Sequence, residues 1–131
     1  MSASNVLERK VLNHFFGIKN EPPPTQVFVG LLTSDPTDED IGLEVSGGNY
    51  ERQPISFSPP EIILGKTQIT NNAEVRFPVA TANWGTVAYF GIYNAQSGGE
   101  LYAHTPVGIP KQIENDDEAV YRPGMVIIKM D

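Results

Sequence analysis

Apolar residues near the start of the chain recur at the three- and four-residue spacing of a helix. Five of them share one face: Leu7, Val11, Leu12, Phe15 and Phe16. This spacing predicts an amphipathic helix within residues 1–20. Asn5 followed by Glu8 resembles a capping box, and Gly17 stands where helices often end in a left-handed conformation. The three prolines that come next cannot continue the helix, so we interpret residues 21–25 as an extended linker.

From residue 26 onward the pattern changes to short apolar or alternating segments. Residues 26–32 are almost continuously apolar, which predicts a central strand. Pro54 predicts an edge strand at residues 50–57, because proline cannot donate to a hydrogen-bond ladder. Asn71 and Asn72 predict a turn that joins two strands, at residues 66–70 and 73–78.

The remainder of the chain continues this pattern of short segments and turns. Further strands are predicted at residues 86–93, 100–104, 111–113, 119–122 and 125–130, and a strand or turn at 61–64. The pattern is typical of an antiparallel β-sandwich, jelly-roll or immunoglobulin-like, of about eight short strands. We therefore expect an N-terminal helix in residues 1–20, a proline linker in residues 21–25 and a β-sandwich domain in residues 26–131.

Aromatic residues are concentrated in the segment at residues 86–93 and in its return strand. Alternation places Phe90 and Ile92 on a face that we expect in the core, and it leaves three tyrosines as candidates for a binding surface: Tyr89, Tyr93 and Tyr102. Exposed tyrosines stack on sugars or form protein interfaces. Cross-strand aromatic pairs that stabilise a hairpin explain the pattern equally well.

Composition and charge narrow the class of protein. The 131 residues are the length of one domain, and 9 basic against 16 acidic residues give a net charge of −7. Because an acidic surface repels phosphates and anionic headgroups, we expect no nucleic-acid partner and no membrane partner. The chain has no cysteine, which excludes disulfides, thiolate zinc sites and thiol nucleophiles. Its first residues lack the basic and apolar regions of a signal peptide, so none is expected.

No group of residues predicts catalysis. His14 and His104 are distant in sequence, and the common nucleophile, phosphate-loop and dinucleotide motifs are absent. The acidic run at residues 35–40 does not have the spacing of an EF-hand, so we expect a loop that faces water and binds no structural metal. We therefore expect no catalytic residue, no metal, no cofactor and no enzymatic activity.

Several blocks of sequence occur in an order that resembles a known family. Residues 27–37 read VFVGLLTSDPT, residues 44–53 read EVSGGNYERQ, and residues 84–93 read WGTVAYFGIY; a GGEL turn at residues 98–101 and GMVI at residues 124–127 follow. Together they resemble a family of small tail-fibre proteins of tailed bacteriophages. Ten residues carry the motifs: Gly47, Gly48, Tyr50, Arg52, Gln53, Trp84, Gly85, Gly91, Gly98 and Gly99.

The resemblance implies a virion structural protein, assembled in the host cytoplasm, that serves as a tail-fibre or baseplate module. Such a module contacts the host surface or neighbouring tail proteins, and similarity to fibre tips implies a homotrimer and a host surface glycan as ligand. A capsid decoration or cement protein is the first alternative, and a small carbohydrate-active enzyme ranks last. The expected interface residues are Leu7, Val11, Phe15, Phe16, Tyr89, Tyr93 and Tyr102.

Overall fold

One short helix and nine strands make up the secondary structure of residues 3–130, the part of the chain that the computed structural model describes. The helix α1 is Asn5–Phe15. The strands, in chain order β1 to β9, are Val27–Leu32, Gln53–Ile55, Glu61–Ile63, Lys66–Thr70, Val75–Arg76, Gly85–Tyr93, Leu101–Ile113, Val120–Tyr121 and Ile127–Met130. Every pairing between these strands is antiparallel. The expected fold class, mainly β and sandwich-like with a short N-terminal helix, is confirmed.

The strands form a four-stranded sheet β2-β1-β6-β7, a three-stranded sheet β3-β4-β9 and a two-stranded pair β5-β8. Strand β1 is central, as its apolar sequence predicts, because it pairs with both β2 and β6. Pro54 lies in β2 at the edge of the sheet, as predicted. No helix of residues 3–130 is both long enough and apolar enough to cross a membrane.

Two predicted connections are wrong. Residues 66–70 and 73–78 do not form a hairpin, since β4 pairs with β3 and β9 whereas β5 pairs with β8. The predicted strands at residues 100–104 and 111–113 are parts of the single long strand β7. An irregularity in the β6–β7 pairing, between Val87 and Tyr89, accommodates the extra residues of β7.

The main core contains side chains from one face of the four-stranded sheet and from the segments that pack on it. Phe90 and Ile92 belong to it, as predicted, together with Val29, Leu31, Phe77, Trp84 and Val126. The ring of Tyr121 contacts that of Phe90 edge-to-face, with the ring centroids 4.7 Å apart. Burial raises the pKa of Tyr121 to about 12.

The opposite face of the four-stranded sheet is also covered. Leu32, Tyr93 and Leu101 are between 1% and 4% exposed, and they lie outside the main core. The expectation that the Tyr93 ring is presented at the surface is therefore wrong. Alternation along a strand predicts which residues share a face, but it does not reveal whether another segment covers that face.

The start of helix α1 is fixed to strand β7. The N-cap is Ser4 rather than the predicted Asn5, and its Oγ accepts a hydrogen bond of 3.1 Å from the Leu7 amide. The same hydroxyl donates to the Leu101 carbonyl at 2.5 Å, and the Ser4 amide donates to the Tyr102 carbonyl at 2.9 Å. Gly17 has a φ of +71°, which confirms the predicted left-handed end of the helix.

Asn71, predicted as a turn residue, is instead a buried connector with 1% of its surface exposed. Its amide nitrogen donates to the carbonyls of Ala73 and Arg122 at 2.9 and 3.0 Å, and its amide oxygen accepts from the Val126 amide at 2.9 Å. The side chain thus joins the segment after β4 to the turn that precedes β9. A buried amide with three partners satisfies backbone groups that would otherwise be left unpaired.

We expect Asn71→Ala to lower the free energy of unfolding by about 2–4 kcal/mol, because it leaves the buried Val126 amide and two partly buried carbonyls without partners. Asn72→Ala is the matched control. Its side chain also makes hydrogen bonds, but they are exposed to water, and we expect a loss below about 1 kcal/mol. Urea unfolding followed by circular dichroism measures both values, and similar losses would show that Asn71 is not a connector.

Candidate functional site

The block at residues 44–53 folds around a buried ion pair between Arg52 and Glu44. The Arg52 Nε lies 2.9 Å from Glu44 Oε2, and the second terminal nitrogen lies 2.8 Å from Glu44 Oε1. The Arg52 side chain is 9% exposed and that of Glu44 is 25% exposed. This two-point geometry matches the planar guanidinium to the carboxylate and fixes both side chains in one orientation.

Two tyrosines surround this pair. The Tyr50 hydroxyl donates to Glu44 Oε2 at 2.5 Å and accepts from the Leu31 amide at 2.9 Å, so it joins the pair to strand β1. The Arg52 guanidinium carbon lies 3.5 Å from the centre of the Tyr93 ring, in a cation–π contact. Burial, and then the nearby Glu44 charge, raises the pKa of Tyr50 and of Tyr93 above that of an ordinary tyrosine. We call Glu44, Tyr50, Arg52 and Tyr93 the ion-pair cluster.

Arg52 also holds the turn between β6 and β7. Its remaining terminal nitrogen donates to the carbonyls of Ala95 and Gly98, each at 2.8 Å. Gly98 and Gly99 have φ values of +64° and +69°, in the region that side chains disfavour, as the sequence predicts. Together with the bonds to Glu44, these contacts make Arg52 a junction between the loop at residues 33–52 and the four-stranded sheet.

A pair of glycines provides the space for the cluster. Gly30 in β1 and Gly91 in β6 are cross-strand partners. A Cβ atom on Gly30 would lie 2.7 Å from Glu44 Oε2 and 2.8 Å from the Tyr50 hydroxyl. A Cβ atom on Gly91 would lie 2.8 Å from the Tyr93 ring. Glycine is therefore required at both positions by close approach of side chains rather than by backbone conformation.

The other motif residues lie in the turns and strands that pack beside the ion-pair cluster. The Trp84 indole nitrogen donates to the Gly48 carbonyl at 2.8 Å, and the Trp84 and Tyr50 rings meet edge-to-face at 5.4 Å. Gly47, Gly48 and Gly85 have φ values of +74°, +57° and +88°, which explains glycine at these turns. Gln53 begins strand β2 and pairs with Val29 in β1. Each of the ten motif residues thus belongs to the ion-pair cluster or to a turn or strand that packs near it.

An open cleft of about 440 Å³ lies beside the cluster, between residues 44–52 and 96–98. It is lined by polar groups, among them the side chains of Glu51, Gln96 and Ser97. Within residues 3–130, no group of three or more histidine, aspartate or glutamate side chains is placed to hold a metal ion. The Arg52 guanidinium is paired with Glu44 and with two backbone carbonyls, and these contacts support a structural role for it.

The acidic loop at residues 35–40 is only partly as predicted. Asp35 is exposed, and its Oδ1 accepts from the Thr37 amide at 2.9 Å, as in an ordinary turn. Asp38, however, lies 2.8 Å from His104 Nε2, and its carbonyl accepts from the Asn5 amide at 2.9 Å. The Asp38 side chain is 37% exposed and meets water as expected, but Asp38 also connects the loop to strand β7 and to the start of α1.

A second region of interest is the N-terminal helix together with the prolines that follow it. An apolar groove of about 240 Å³ separates them and is lined chiefly by Leu7, Val11, Phe15, Pro22, Pro24 and Tyr102. We call it the proline groove. At the end of the helix four apolar side chains are exposed: Leu12 at 54%, Phe15 at 75%, and Phe16 and Ile18 at 73% each. Phe15 borders the proline groove, and we call the other three, Leu12, Phe16 and Ile18, the helix-end patch.

The structure divides the expected interface residues among four places. Leu7, Val11, Phe15 and Tyr102 come together in the proline groove, and Phe16 belongs to the neighbouring helix-end patch. Tyr89 is half-buried in β6, away from Tyr102, while Tyr93 lies in the ion-pair cluster. The three tyrosines therefore do not form one surface.

Glu44 and the partnership of Asp38 with His104 are the functional contacts that sequence reasoning missed. Glu44 stands inside the block EVSGGNYERQ, directly before the buried Val45, and an acid next to an apolar residue gives no signal of a partly buried ion pair. Asp38 and His104 are 66 residues apart in the chain, and no spacing rule connects them.

We expect Glu44→Gln to lower the free energy of unfolding by about 2–4 kcal/mol, because it leaves a buried guanidinium without its anion. The partial exposure of Glu44 places the effect below that of a fully buried pair. Glu118→Gln is the matched control, since Glu118 pairs with Arg76 in an exposed ion pair, for which we expect at most about 1 kcal/mol. Equal losses in urea unfolding would contradict the assignment.

We expect Gly30→Ala to destabilise the protein by about 1–3 kcal/mol, because the added methyl group displaces Glu44 and Tyr50. Gly108→Ala tests the effect of alanine in a strand without crowding, since no atom lies within 4 Å of the position of its Cβ. The control should change stability by no more than about 0.5 kcal/mol. Thermal unfolding of both variants gives the comparison, and a neutral Gly30→Ala would show that the cluster is loosely packed.

Comparison with known proteins shows to which family this chain belongs. A search of curated proteins gives no match. A profile described as podophage GP4 fiber I protein gp80 matches residues 2–129, which is nearly the whole chain. The match confirms the resemblance to phage tail-fibre proteins, and the chain belongs to the podophage GP4 fiber I protein gp80 family.

Proposed function

We propose that this chain is a structural subunit of a podophage tail fibre, joined to neighbouring tail or baseplate proteins through the helix-end patch. Membership of a fibre family supports a virion structural role. The observation that carries the finer proposal is the exposure of Leu12 in the last turn of α1 and of Phe16 and Ile18 directly after the helix. A group of large apolar side chains exposed together marks a surface that binds a partner.

The backbone around the patch is held in place before any partner binds. The amides of Ile18 and Lys19 both donate to the Asn13 carbonyl, at 2.9 and 3.1 Å, and so fix the chain after the helix. The Asn13 side chain donates to Glu21 at 3.3 Å, which ties the proline segment to the helix. The Asn13 hydrogen bond, and then nearby cations, lower the pKa of Glu21. A patch ordered in advance costs less entropy on binding.

The first alternative, a capsid decoration protein, differs from a fibre subunit in its location in the virion. The family description favours the fibre. Contact with a host glycan is less well supported, because Tyr93 is buried and Tyr89 and Tyr102 lie in different surroundings. Among residues 3–130 the candidate tyrosines therefore do not form a platform on which a sugar ring can stack.

Virion incorporation of the variant Leu12→Ser/Phe16→Ser tests the proposal. Both positions are exposed, so we expect unchanged circular dichroism and a melting temperature within a few degrees of wild type. In a phage that receives its only copy of the protein from a plasmid, the amount in purified particles should fall at least tenfold. Mass spectrometry of separated heads and tails measures the amount of the variant in the particles, and it shows whether the wild-type protein is in heads or in tails.

The control variant Ile109→Ser/Val79→Ser removes two exposed apolar side chains elsewhere, at 85% and 45% exposure, and should be incorporated normally. Normal incorporation of the helix-end variant would overturn the attachment surface. Recovery of wild-type protein in heads rather than tails would favour the decoration protein.

A further inference from the structure

The hairpin between β3 and β4 presents a leucine at its tip in an unfavourable conformation. Ile63 pairs with Lys66, so Leu64 and Gly65 form a two-residue turn, and both have positive φ values, +51° and +79°. Such turns favour Asn-Gly or Asp-Gly, because a bulky side chain is disfavoured at positive φ. The Leu64 side chain is also 98% exposed. This position thus combines backbone strain with exposure of an apolar side chain, and neither is explained by the fold.

The same hairpin carries a further exposed apolar residue, Ile62, at 77%. Ile62 is in β3, at the edge of the three-stranded sheet, and it shares a face with Thr67 opposite it. Strain that persists at an exposed tip points to a binding role for the residue that bears it. The hairpin tip is therefore suited to insert an aliphatic side chain into a partner.

The proline groove has the properties that such a side chain requires. Its volume of about 240 Å³ is ample for an aliphatic side chain, since a cavity of about 150 Å³ holds a benzene molecule. Its lining is mainly apolar, with Lys10 and Glu21 beside it, 3.8 Å apart. A leucine that entered the groove would leave water for contact with Val11, Phe15 and the proline rings.

Charge also matches the hairpin to the groove. The chain carries a net charge of −7, so contact between most parts of two copies would be repulsive. The hairpin carries one acid and one base, Glu61 and Lys66, and the groove likewise carries Glu21 and Lys10. Neither surface concentrates charge of one sign, so the acidic net charge opposes this contact less than contact between other parts of two copies.

We propose that Leu64 of one copy of this chain inserts into the proline groove of a second copy. The contact uses a different surface from the helix-end patch, and it does not depend on the attachment proposed above. Because the tip and the groove are different parts of the molecule, the contact is heterologous. A heterologous contact forms a ring when the rotation between copies closes, and the homotrimer expected from fibre tips would be such a ring.

The variant Leu64→Asn separates this role from a role in folding. Asparagine accepts positive φ and is polar, so the variant should unfold at the same temperature as wild type or higher. Its self-association should nevertheless weaken at least tenfold, measured by sedimentation or light scattering over a range of protein concentrations. Ile109→Asn, at another exposed apolar position, should associate as wild type does. Wild-type protein that stays monomeric at about 100 μM, or Leu64→Asn protein that associates normally, would overturn the proposal.

Cysteine cross-linking identifies the partner surface, because the chain has no cysteine of its own. Leu64→Cys protein mixed with Phe15→Cys protein should form a disulfide-linked heterodimer under mild oxidation, well above the homodimers of either. Leu64→Cys mixed with Ile109→Cys should give only background. A predominant Leu64→Cys homodimer would show a tip-to-tip contact and contradict insertion into the groove. The helix-end variant Leu12→Ser/Phe16→Ser should still self-associate, which separates failure of this contact from failure of attachment.

Discussion

The ion pair between Arg52 and Glu44 is the interaction on which the rest of this structure depends. It joins three segments that are distant in the chain: the loop that bears Glu44, strand β1 through Tyr50, and the β6–β7 turn through the Ala95 and Gly98 carbonyls. Removal of charged groups from water is costly, and only near-complete hydrogen bonding of both partners offsets that cost. Here the guanidinium makes bonds through all three nitrogens, and Gly30 and Gly91 leave room for the rings around it.

This constraint explains how a long loop acts as a structural layer. Residues 33–52 contain almost no regular strand, yet they help to cover a face of the four-stranded sheet, because Tyr50 and Arg52 fix them there. Asp38 extends the same layer to His104 and to the start of α1.

The motif residues of the family thus hold the fold together. The surfaces proposed for assembly, the helix-end patch, the proline groove and the Leu64 tip, all lie outside them.

Most of the fold could be predicted from local patterns, and the site could not. Continuous apolar residues located β1, Pro54 located an edge strand, and Gly17, Gly98 and Gly99 marked left-handed positions correctly. These features depend on neighbours in the sequence. Arg52 also bonds to the Ala95 and Gly98 carbonyls, Asp38 bonds to His104, and Asn71 bonds to Arg122. These partners lie far away in the chain, and nothing local reveals them. Asn71 was expected at a turn because asparagine favours turns, but buried backbone groups compete for the same amide. Tyr93 was expected at the surface because alternation cannot show that a second layer covers the sheet.

A double-mutant cycle on Glu44 and Arg52 tests the central claim most directly. Urea unfolding of wild type, Glu44→Gln, Arg52→Met and the double variant isolates the free energy of coupling between the two side chains from their other contacts. If the pair is the junction described, the coupling free energy should be about 2 kcal/mol or more in favour of the native pair. Additive losses, with coupling below about 0.5 kcal/mol, would show that the two side chains act independently and would contradict the account.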